Sequence, residues 1–578
     1  MPEIERLMRQ VSGPALMAHT QAIASEVRLS GSPEEKKIFE YIKARLDEAG
    51  IENTLTYSDG YISIPLEAGL RVDGEQYPCI TASMAAPTPA QGRDLALLAV
   101  GDAKALEALA GQAEGKALIF YGFTSRPLVQ RAEQLGAAAC IFINGERLHS
   151  MICSPVWGNP TPDTFALIPK IHVLSVDRYW GEKLLLAAER QKTAHIEAAV
   201  DCGWRKIPTL VAEIRGTEEP EKFVLFSGHV DSWYYGAMDN GGANAAMLEI
   251  AKLLGGTPLR RSLRIAFWSG HSHGRYAGSA HYMDTHFKAL YEHCLLHVNI
   301  DSVGAKGASV VTEGNIMSLT RSLAKELIGQ YTGQEFKGRP MTRGGDHSFW
   351  GAGVPSAFMS FSGQPFAHDP NDQDTRYMIA QFNNGPESAG FGWWWHSAED
   401  TIDKIDADLL RRDTQLYLAY LYRCLNDAFF PIDLDAGIQE VCRHLALYEE
   451  RARPFIALSP VKEAMAVVKT LAEDLERLKS ACTKEPRIQA HNEATRLVAQ
   501  LLVHLLYSGG SFFQHDPALP QRPVLLLSIA EQFCEGEEAY DRNLMLAVEL
   551  RRRINQCVFW IEECTARVQP ILRSLTAG

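Results

Sequence analysis

The chain has 578 residues, a length at which a single hydrophobic core gives way to several domains. Hydrophobic residues make up 46% of it and charged residues 22%, as in an ordinary soluble globular protein. The net charge of −13 argues against a surface that binds nucleic acid. The 11 cysteines are scattered, odd in number and form no CxxC pair, which fits a reducing cytosol better than a disulfide framework.

The beginning of the chain, Met1 to Arg6, has no basic region followed by an apolar stretch, so no secretory signal is expected. No uninterrupted apolar run is long enough to span a bilayer. We therefore predict a cytoplasmic protein without membrane contacts.

The first predicted element is a helix that starts at Ser32-Pro33, because proline and acidic residues are favoured in the first turn. Apolar residues then recur at helical spacing up to Gly50. Residues 51–64 alternate loosely, as paired strands do. We interpret residues 1–65 as the first part of the main domain.

Residues 66–200 form a block with a pattern of its own, which we interpret as a β-rich insert. Apolar runs at 115–120, 136–144 and 168–175 predict short strands, and 127–135 reads as a helix. Its histidines at 149, 172 and 195 are scattered, and isolated histidines are most often structural.

Residues 201–430 alternate strand and helix, which predicts an α/β domain with a mostly parallel sheet between two layers of helices. Residues 431–578 are predicted to be a helical domain. Amphipathic helices are expected at 409–429, 461–480, 493–506 and 543–575. Such helices favour a homodimer interface, and a lid or plain helical cap is the alternative.

Three predicted strands lead into side chains that bind metals. The runs at 223–226, 263–268 and 295–300 lead into His229, into His271 and His273, and into Asp301. Loops that leave the carboxyl ends of strands in an open α/β sheet meet in one crevice. Two histidines and two aspartates, His229, Asp239, Asp301 and His396, together predict a site for a borderline cation such as zinc.

Two further carboxylates are placed to orient the predicted ligands. Asp231 follows His229 by two residues and could accept the second ring N–H of that histidine. Asp400 follows His396 by four residues and could do the same there. Asp239 stands before Asn240-Gly241-Gly242, where glycine lets the backbone approach closely.

Four motifs carry these side chains: Gly228-His229-Val230-Asp231-Ser232, Asp239-Asn240-Gly241, Val298-Asn299-Ile300-Asp301 and His396-Ser397-Ala398-Glu399-Asp400-Thr401. In combination they resemble the co-catalytic di-zinc exopeptidases, a family that includes bacterial aminopeptidases, glutamate carboxypeptidase and the transferrin receptor. The segment from Arg28 to Glu34 resembles the opening helix region of that family. The insert resembles a protease-associated domain, and the helical tail resembles a dimerisation domain.

The resemblance implies two metal positions. His229 and Asp301 would hold one ion, and Asp239 would bridge to a second ion bound also by His396. The family further carries two adjacent glutamates after the strand that ends at Trp268, one a general base and the other a ligand. This sequence instead has Ser269-Gly270-His271-Ser272-His273, without a carboxylate.

Three interpretations of this departure stay open. His271 and His273 replace the glutamates, one as ligand and one as the group that moves protons. Alternatively, only the ion at His229, Asp239 and Asp301 remains, with an open coordination position. In the third, the chain is an inactive scaffold. A decaying site has little reason to gain two imidazoles, which favours altered chemistry.

The expected substrate pocket surrounds these residues. Two imidazoles in place of two carboxylates make the site more cationic, and Arg275 adds a further charge, so a substrate with a free carboxylate would fit. Asp346 and His347 border the pocket by resemblance, and His347 could bind an oxyanion. Trp395 and its aromatic neighbours predict an apolar wall. The polar segment 364–392 is a candidate lid.

We therefore predict a metal-dependent hydrolase, of aminopeptidase or carboxypeptidase type, that cleaves an amide in a peptide or small amidated metabolite. Its cofactor would be one or two zinc ions, although imidazole-rich sites also accept manganese or iron. Other metal-dependent chemistry on a small carboxylic acid and an inactive interaction scaffold are the alternatives.

Overall fold

Three helices and one long strand open the chain in the computed structural model, which describes residues 2–365, 373–382 and 388–576. The helix predicted after Ser32 is present, and the Ser32 hydroxyl caps it by accepting the backbone N–H of Glu35. The helix is followed by Gly50, whose φ is +69°. The elements are α1 Pro2–Gln10, α2 Gly13–Ile23, α3 Pro33–Glu48 and β1 Glu52–Val72.

The insert contains helices as well as strands, so it is less purely β than the sequence predicted. Four of its strands, β4 to β7, run parallel in consecutive order, and β3 pairs antiparallel with β7. The elements are β2 Glu75–Tyr77, β3 Cys79–Thr81, β4 Arg93–Gly101, α4 Ala103–Ala108, β5 Ala117–Tyr121, α5 Arg126–Gln134, β6 Ala139–Ile143, β7 His172–Val176 and α6 Arg178–Glu189.

The next strand, β8 Thr193–Ile214, connects the insert to the main sheet. It pairs antiparallel with β1 from Glu52 opposite Glu213 to Val72 opposite Ala194. One end of β8 pairs with β4 of the insert, and the other end pairs with β10 of the main sheet. The two long strands therefore hold the insert at a fixed place beside the main domain.

The main sheet is mostly parallel, as predicted. Strand β9 pairs in parallel with β10 and β11, and β11 pairs in parallel with β13. The elements are β9 Glu219–His229, α7 Ala243–Gly255, β10 Arg261–Trp268, α8 Ala277–His293, β11 Cys294–Asn299, β12 Asn315–Ile316, α9 Ser318–Thr332, β13 Ser356–Phe358 and α10 Gln373–Phe382. The candidate lid lies partly outside the described residues, at 366–372 and 383–387.

The end of the chain is helical, and the four predicted amphipathic helices are present with somewhat different ends. A further helix, α12, was not predicted. The helices are α11 Ala407–Asn426, α12 Leu434–Ala452, α13 Ser459–Lys479, α14 Glu485–Tyr507 and α15 Tyr540–Thr576. The apolar side chains of α11 join the core of the main sheet, whereas those of α12 to α15 form a second core. These separate cores support a division between the main domain and the helical domain, and the four-part division of the chain stays a proposal.

Within the described ranges, no helix combines the length and the apolar character needed to cross a bilayer.

Candidate metal centre

The carboxyl ends of three neighbouring parallel strands bring the candidate ligands together. His229 is the last residue of β9, His271 comes three residues after β10, and Asp301 comes two residues after β11. One ligand atom from each of these three side chains lies within 4.8 Å of the other two. The crevice expected from strand order is therefore present, with imidazole and carboxylate groups at its floor.

Asp239 lies between two of the histidines. Its Oδ1 is 3.0 Å from Nε2 of His229, and its Oδ2 is 3.0 Å from Nε2 of His396. The carboxylate of Asp301 is 3.5 Å from the same nitrogen of His229. One carboxylate thus faces two separate donor groups, the arrangement of a ligand shared by two cation positions.

The first of these positions fits a metal ion. Ligands about 2.0–2.1 Å from a tetrahedral zinc are about 3.3 Å from one another, close to the separations of 3.0 and 3.5 Å around His229 Nε2. Nε2 of His229 and Oδ1 of Asp239 are buried and face each other at 3.0 Å, but neither makes a hydrogen bond of good geometry. Buried polar atoms without partners are costly, so a cation would satisfy a need that the chain leaves open.

The second position offers fewer donors. In the described ranges, Oδ2 of Asp239 and Nε2 of His396 are the ligand atoms brought together there. Ser272 stands where the resembling family has a glutamate ligand, and its backbone N–H donates to Asp231. Two donors hold a cation less tightly than three, so the first position is the better built of the two.

The surroundings of His229 and His396 set the protonation of these imidazoles. Burial favours the neutral form of His229, but the carboxylates of Asp301 and Asp239 outweigh it and raise the pKa of His229 well above its usual value. Burial lowers the pKa of His396 despite the adjacent Asp239. A cation at the first position would take the place of the proton on His229.

Asp231 orients His229 through its main chain. Nδ1 of His229 is 2.8 Å from the backbone carbonyl oxygen of Asp231, whereas the Asp231 carboxylate is 3.8 Å away. That carboxylate instead accepts the backbone N–H groups of His271 and Ser272 and the hydroxyl of Ser30. Asp231 therefore positions two ligand-bearing loops at once, a broader role than the sequence predicted.

Asp400 does not orient His396, contrary to the expected pairing. Nδ1 of His396 lies 2.7 Å from the backbone carbonyl oxygen of Ser150, which belongs to the insert. The Asp400 carboxylate accepts the backbone N–H groups of Met238 and Asp239. It therefore fixes the turn that carries Asp239.

His271 is oriented by Asp346. Its Nδ1 lies 2.8 Å from Oδ2 of Asp346, whose Oδ1 accepts the hydroxyl of Ser279. Burial alone would raise the pKa of Asp346, but His271 and the Ser279 hydroxyl lower it below its ordinary value. Asp346, expected to bind substrate, therefore acts as an ionised partner that leaves Nε2 of His271 free to face the crevice.

Two histidines predicted to be catalytic lie away from the crevice. Nδ1 of His273 contacts the Ser30 hydroxyl at 3.0 Å, and its ring packs against Trp233. His347 packs among His297, Trp350 and Phe358. Burial lowers the pKa of His273 to about 4 and that of His347 to about 3. Both are therefore poor proton acceptors at neutral pH, and neither lines the main cavity.

A cavity of about 460 Å³ opens above the ligands and is shared by three parts of the chain. The insert contributes Met151 and Ile152, and the helical end contributes Tyr507. Trp395 lines the cavity as predicted, and its ring stacks on His396 with centroids 3.5 Å apart. Aromatic side chains form much of the wall: Tyr276, Trp350, Phe358, Phe391, Trp395 and Tyr507.

Four residues of the cavity wall have a left-handed backbone. The φ angles are 47° for Arg275, 71° for Tyr276, 51° for Ser302 and 57° for His396. Such a conformation costs about 1–3 kcal/mol for a residue with a side chain, and it concentrates at functional sites. The left-handed conformations direct these four side chains toward the cavity.

Arg28 is a site residue whose role the sequence did not reveal. It is fully buried, and its guanidinium donates to the backbone carbonyls of Val230, Tyr235 and Gly236, in the loop between His229 and Asp239. Burial lowers its pKa to about 10, so it stays charged at neutral pH. The only sequence signal was its place in the segment that resembles the family's opening region.

We expect Arg28→Met to destabilise the loop between His229 and Asp239. The change leaves buried carbonyl oxygens without donors, and hydrogen bonds from charged groups contribute about 1.5–3 kcal/mol each. Chemical denaturation of the main domain should show a loss of about 3 kcal/mol or more, with weaker metal binding. Arg190→Met, at the exposed end of α6, is the matched control. Unchanged stability in the Arg28 variant would contradict the assigned role.

Comparison with known proteins agrees with this geometry. Residues 209–421 match the sequence model of Peptidase family M28. The probable glutamate carboxypeptidase VP8 of Zea mays is 25% identical over 333 residues, which cover 54% of this chain and 43% of that protein. This chain thus spans less than half the length of that relative. Aminopeptidase YwaD of Bacillus subtilis (strain 168) is 25% identical over 415 residues, 69% of this chain and 81% of that protein.

Solved structures show the same fold. BSAP, a zinc aminopeptidase from Bacillus subtilis, aligns with a TM-score of 0.56 at 20% identity, over 73% of this chain and 98% of that one. At this identity the likeness shows the fold alone. It confirms the predicted α/β architecture with a mostly parallel sheet.

Proposed function

We propose that this chain is a metal-dependent hydrolase that cleaves an amide bond in a peptide or small amidated metabolite, because residues 209–421 match the sequence model of Peptidase family M28. The observation that carries the proposal is the carboxylate of Asp239, with one oxygen 3.0 Å from His229 and the other 3.0 Å from His396. The named relatives include a probable glutamate carboxypeptidase and an aminopeptidase, so the exopeptidase type is part of the proposal.

The proposed cofactor is zinc, held by His229, Asp239 and Asp301, with Asp239 and His396 as the weaker second position. When bound, zinc supplies Lewis-acid polarisation of a carbonyl group and lowers the pKa of a water molecule to about 7. The chain supplies the fixed donor groups, the buried surroundings and a group to receive a proton.

We assign that last role to His271. Its ring stacks on the ring of His229 with centroids 3.8 Å apart and planes 11° from parallel. The lone pair of an imidazole nitrogen lies in the ring plane, so two parallel, stacked rings cannot direct their lone pairs at one ion. His271 is therefore better placed to accept a proton from the attacking water than to share the ion of His229. Asp346 would stabilise the imidazolium that forms.

An inactive scaffold is the less favourable alternative. His229 and Asp239 keep buried atoms without partners, and four cavity residues keep a left-handed backbone. Both features cost stability, and a scaffold would gain nothing from them.

His271→Ala separates a proton acceptor from a metal ligand. We expect turnover of dipeptides with a free terminus to fall by about 10²–10⁴-fold, because a general base contributes that much, while the bound metal measured by elemental analysis stays the same. His229→Ala should lose the metal as well as the activity. His444→Ala, on α12, is the matched control for histidine removal. Loss of metal from the His271 variant would show that His271 is a ligand instead.

Asp346→Asn tests the partner of His271. The neutral amide cannot stabilise an imidazolium, so we expect turnover to fall by about 10–100-fold with metal content unchanged. The pH–rate profile should also move, since the acceptor loses its anionic partner. An unchanged profile would remove Asp346 from the proposal.

We also propose that the chain forms a homodimer through its C-terminal helices. The first turns of α15 expose Tyr540, Leu544, Met545 and Val548, which lie at helical spacing on one side. Clustered apolar side chains on a surface are typical of a contact between proteins.

We also propose that the protein is cytoplasmic. All 11 cysteines are free thiols, as is usual in a reducing compartment.

Charge on this face should disrupt the dimer. Met545→Glu together with Val548→Glu should convert a dimer to a monomer in light scattering, because a buried unpaired charge opposes association. Glu562→Lys, an exposed charge reversal farther along α15, should leave the mass unchanged. A monomeric parent chain would overturn the proposal.

A further inference from the structure

We propose that Arg275 binds the free carboxylate of the substrate in this cavity. The enzyme would then cleave the last amide bond of the substrate and release its C-terminal residue. This inference rests on the proposed function and narrows it to carboxypeptidase-type or dipeptidase-type cleavage. The ligand class is a peptide or N-acyl amino acid that ends in an α-carboxylate next to the scissile bond.

Arg275 is a buried cation without an anionic partner. It lines the cavity and is 8% exposed. Within the described ranges no carboxylate lies within ion-pair distance of its guanidinium, and its Nε has no hydrogen-bond partner. Its guanidinium carbon lies 4.7 Å from the ring of Tyr276, which also offers its hydroxyl as a hydrogen-bond partner, and these contacts supply no negative charge. Arginines this deeply buried are normally paired, so the chain leaves a vacancy for an anion.

Arg343, another arginine of the cavity wall, shows the contrast. It is equally buried, but it donates to the Asp516 carboxylate, the Gln521 side chain and the backbone carbonyl of Tyr507. Its donors therefore serve the helical end of the chain. Arg275 makes no comparable set of contacts with the rest of the fold. Binding of an anionic ligand therefore explains its buried position better than a structural role does.

The charges of the cavity wall favour an anion over an ammonium group. In the described ranges, the acidic residues of the wall are Asp239 and Asp301, both of which belong to the metal centre. The basic side chains are Arg126, Arg275, Arg343 and Arg522. An aminopeptidase substrate presents its ammonium group beside the scissile bond, where this wall offers no further carboxylate. A substrate carboxylate meets the opposite charge.

The distances leave room for one residue beyond the scissile bond. Tyr276 separates Arg275 from His271, with its ring 4.9 Å from the His271 ring and 4.7 Å from the Arg275 guanidinium carbon. The distance from the Arg275 guanidinium carbon to the centre of the His271 ring therefore cannot exceed the sum of these two distances. One residue spans about 3.5 Å, and a charge-assisted hydrogen bond adds about 2.8 Å. A single terminal residue therefore fits within that space.

The left-handed backbone of Arg275 supports a dedicated placement. Its φ is 47° and that of Tyr276 is 71°, although neither residue is glycine. Such a pair persists only where the surroundings impose it. Here it turns the Arg275 side chain inward, whereas an arginine serving solubility would be exposed.

The test compares matched acid and amide substrates. The metal-loaded full chain is given N-acetyl-alanyl-phenylalanine and its C-terminal amide, and kcat/KM is measured for each. The acid should be cleaved about 100-fold faster, since sites that bind a polar group reject analogues that cannot pair with it. Arg275→Gln should abolish this preference, mainly by raising KM for the acid. Arg275→Lys should restore part of it, and Arg190→Gln should behave as the parent chain.

A preference that persists in Arg275→Gln, or equal rates for acid and amide in the parent chain, would overturn the inference. If circular dichroism shows that Arg275→Gln does not fold, the Arg275→Lys variant provides the test. A lysine ammonium group cannot form the two parallel hydrogen bonds of a guanidinium, so the preference for the acid should already fall about 10-fold. An unchanged preference in the lysine variant would then overturn the inference.

A failure of the proposed hydrolase function can be distinguished from a failure of the carboxylate site. If neither peptide is hydrolysed by the metal-loaded chain, hydrolysis itself is contradicted. Calorimetric binding of N-acetyl-phenylalanine and of its amide still tests the carboxylate site. Preference for the acid that disappears in Arg275→Gln would support the site, and equal binding would overturn it.

Discussion

The site depends on one buried carboxylate, that of Asp239, which faces an imidazole with each of its oxygens. Burial of a charged group is costly unless opposite charges or donors surround it, so the neighbouring structure must supply them. Here the adjacent histidines lower the pKa of Asp239 well below its usual value, against the effect of burial. The Asp400 carboxylate holds the backbone of the same turn. The arrangement of the centre follows from satisfying this charge.

Backbone carbonyl groups do much of the positioning around the centre. They orient His229 from Asp231 and His396 from Ser150, and they receive the donors of Arg28. Every residue has a backbone carbonyl group, so these contacts cannot be predicted from sequence motifs. The contact from Ser150 also ties the insert to the metal centre. The long pair β1 and β8 makes that contact possible by fixing the insert beside the main sheet.

The replacement of the glutamate pair by His271, Ser272 and His273 changes the site unequally. His271 stays in the crevice with Asp346 behind it, whereas His273 turns toward Ser30 and Trp233. The metal position at His229 keeps its donors, and the position at His396 is left with fewer. In the proposed mechanism an imidazole–carboxylate pair takes the place of a carboxylate base, and the neighbouring Arg275 makes the cavity more cationic.

The order of strands and helices, the parallel sheet and the meeting of His229, Asp239, Asp301 and His396 could be predicted from the sequence, because apolar runs mark buried strands and parallel strands end at one edge. The motifs also carried a family resemblance. The sequence could not separate His271 from His273, nor assign Asp346, Asp400 and Arg28 their partners. Those contacts join residues far apart in the chain, and side-chain direction in loops depends on local φ and ψ angles that only the folded backbone fixes.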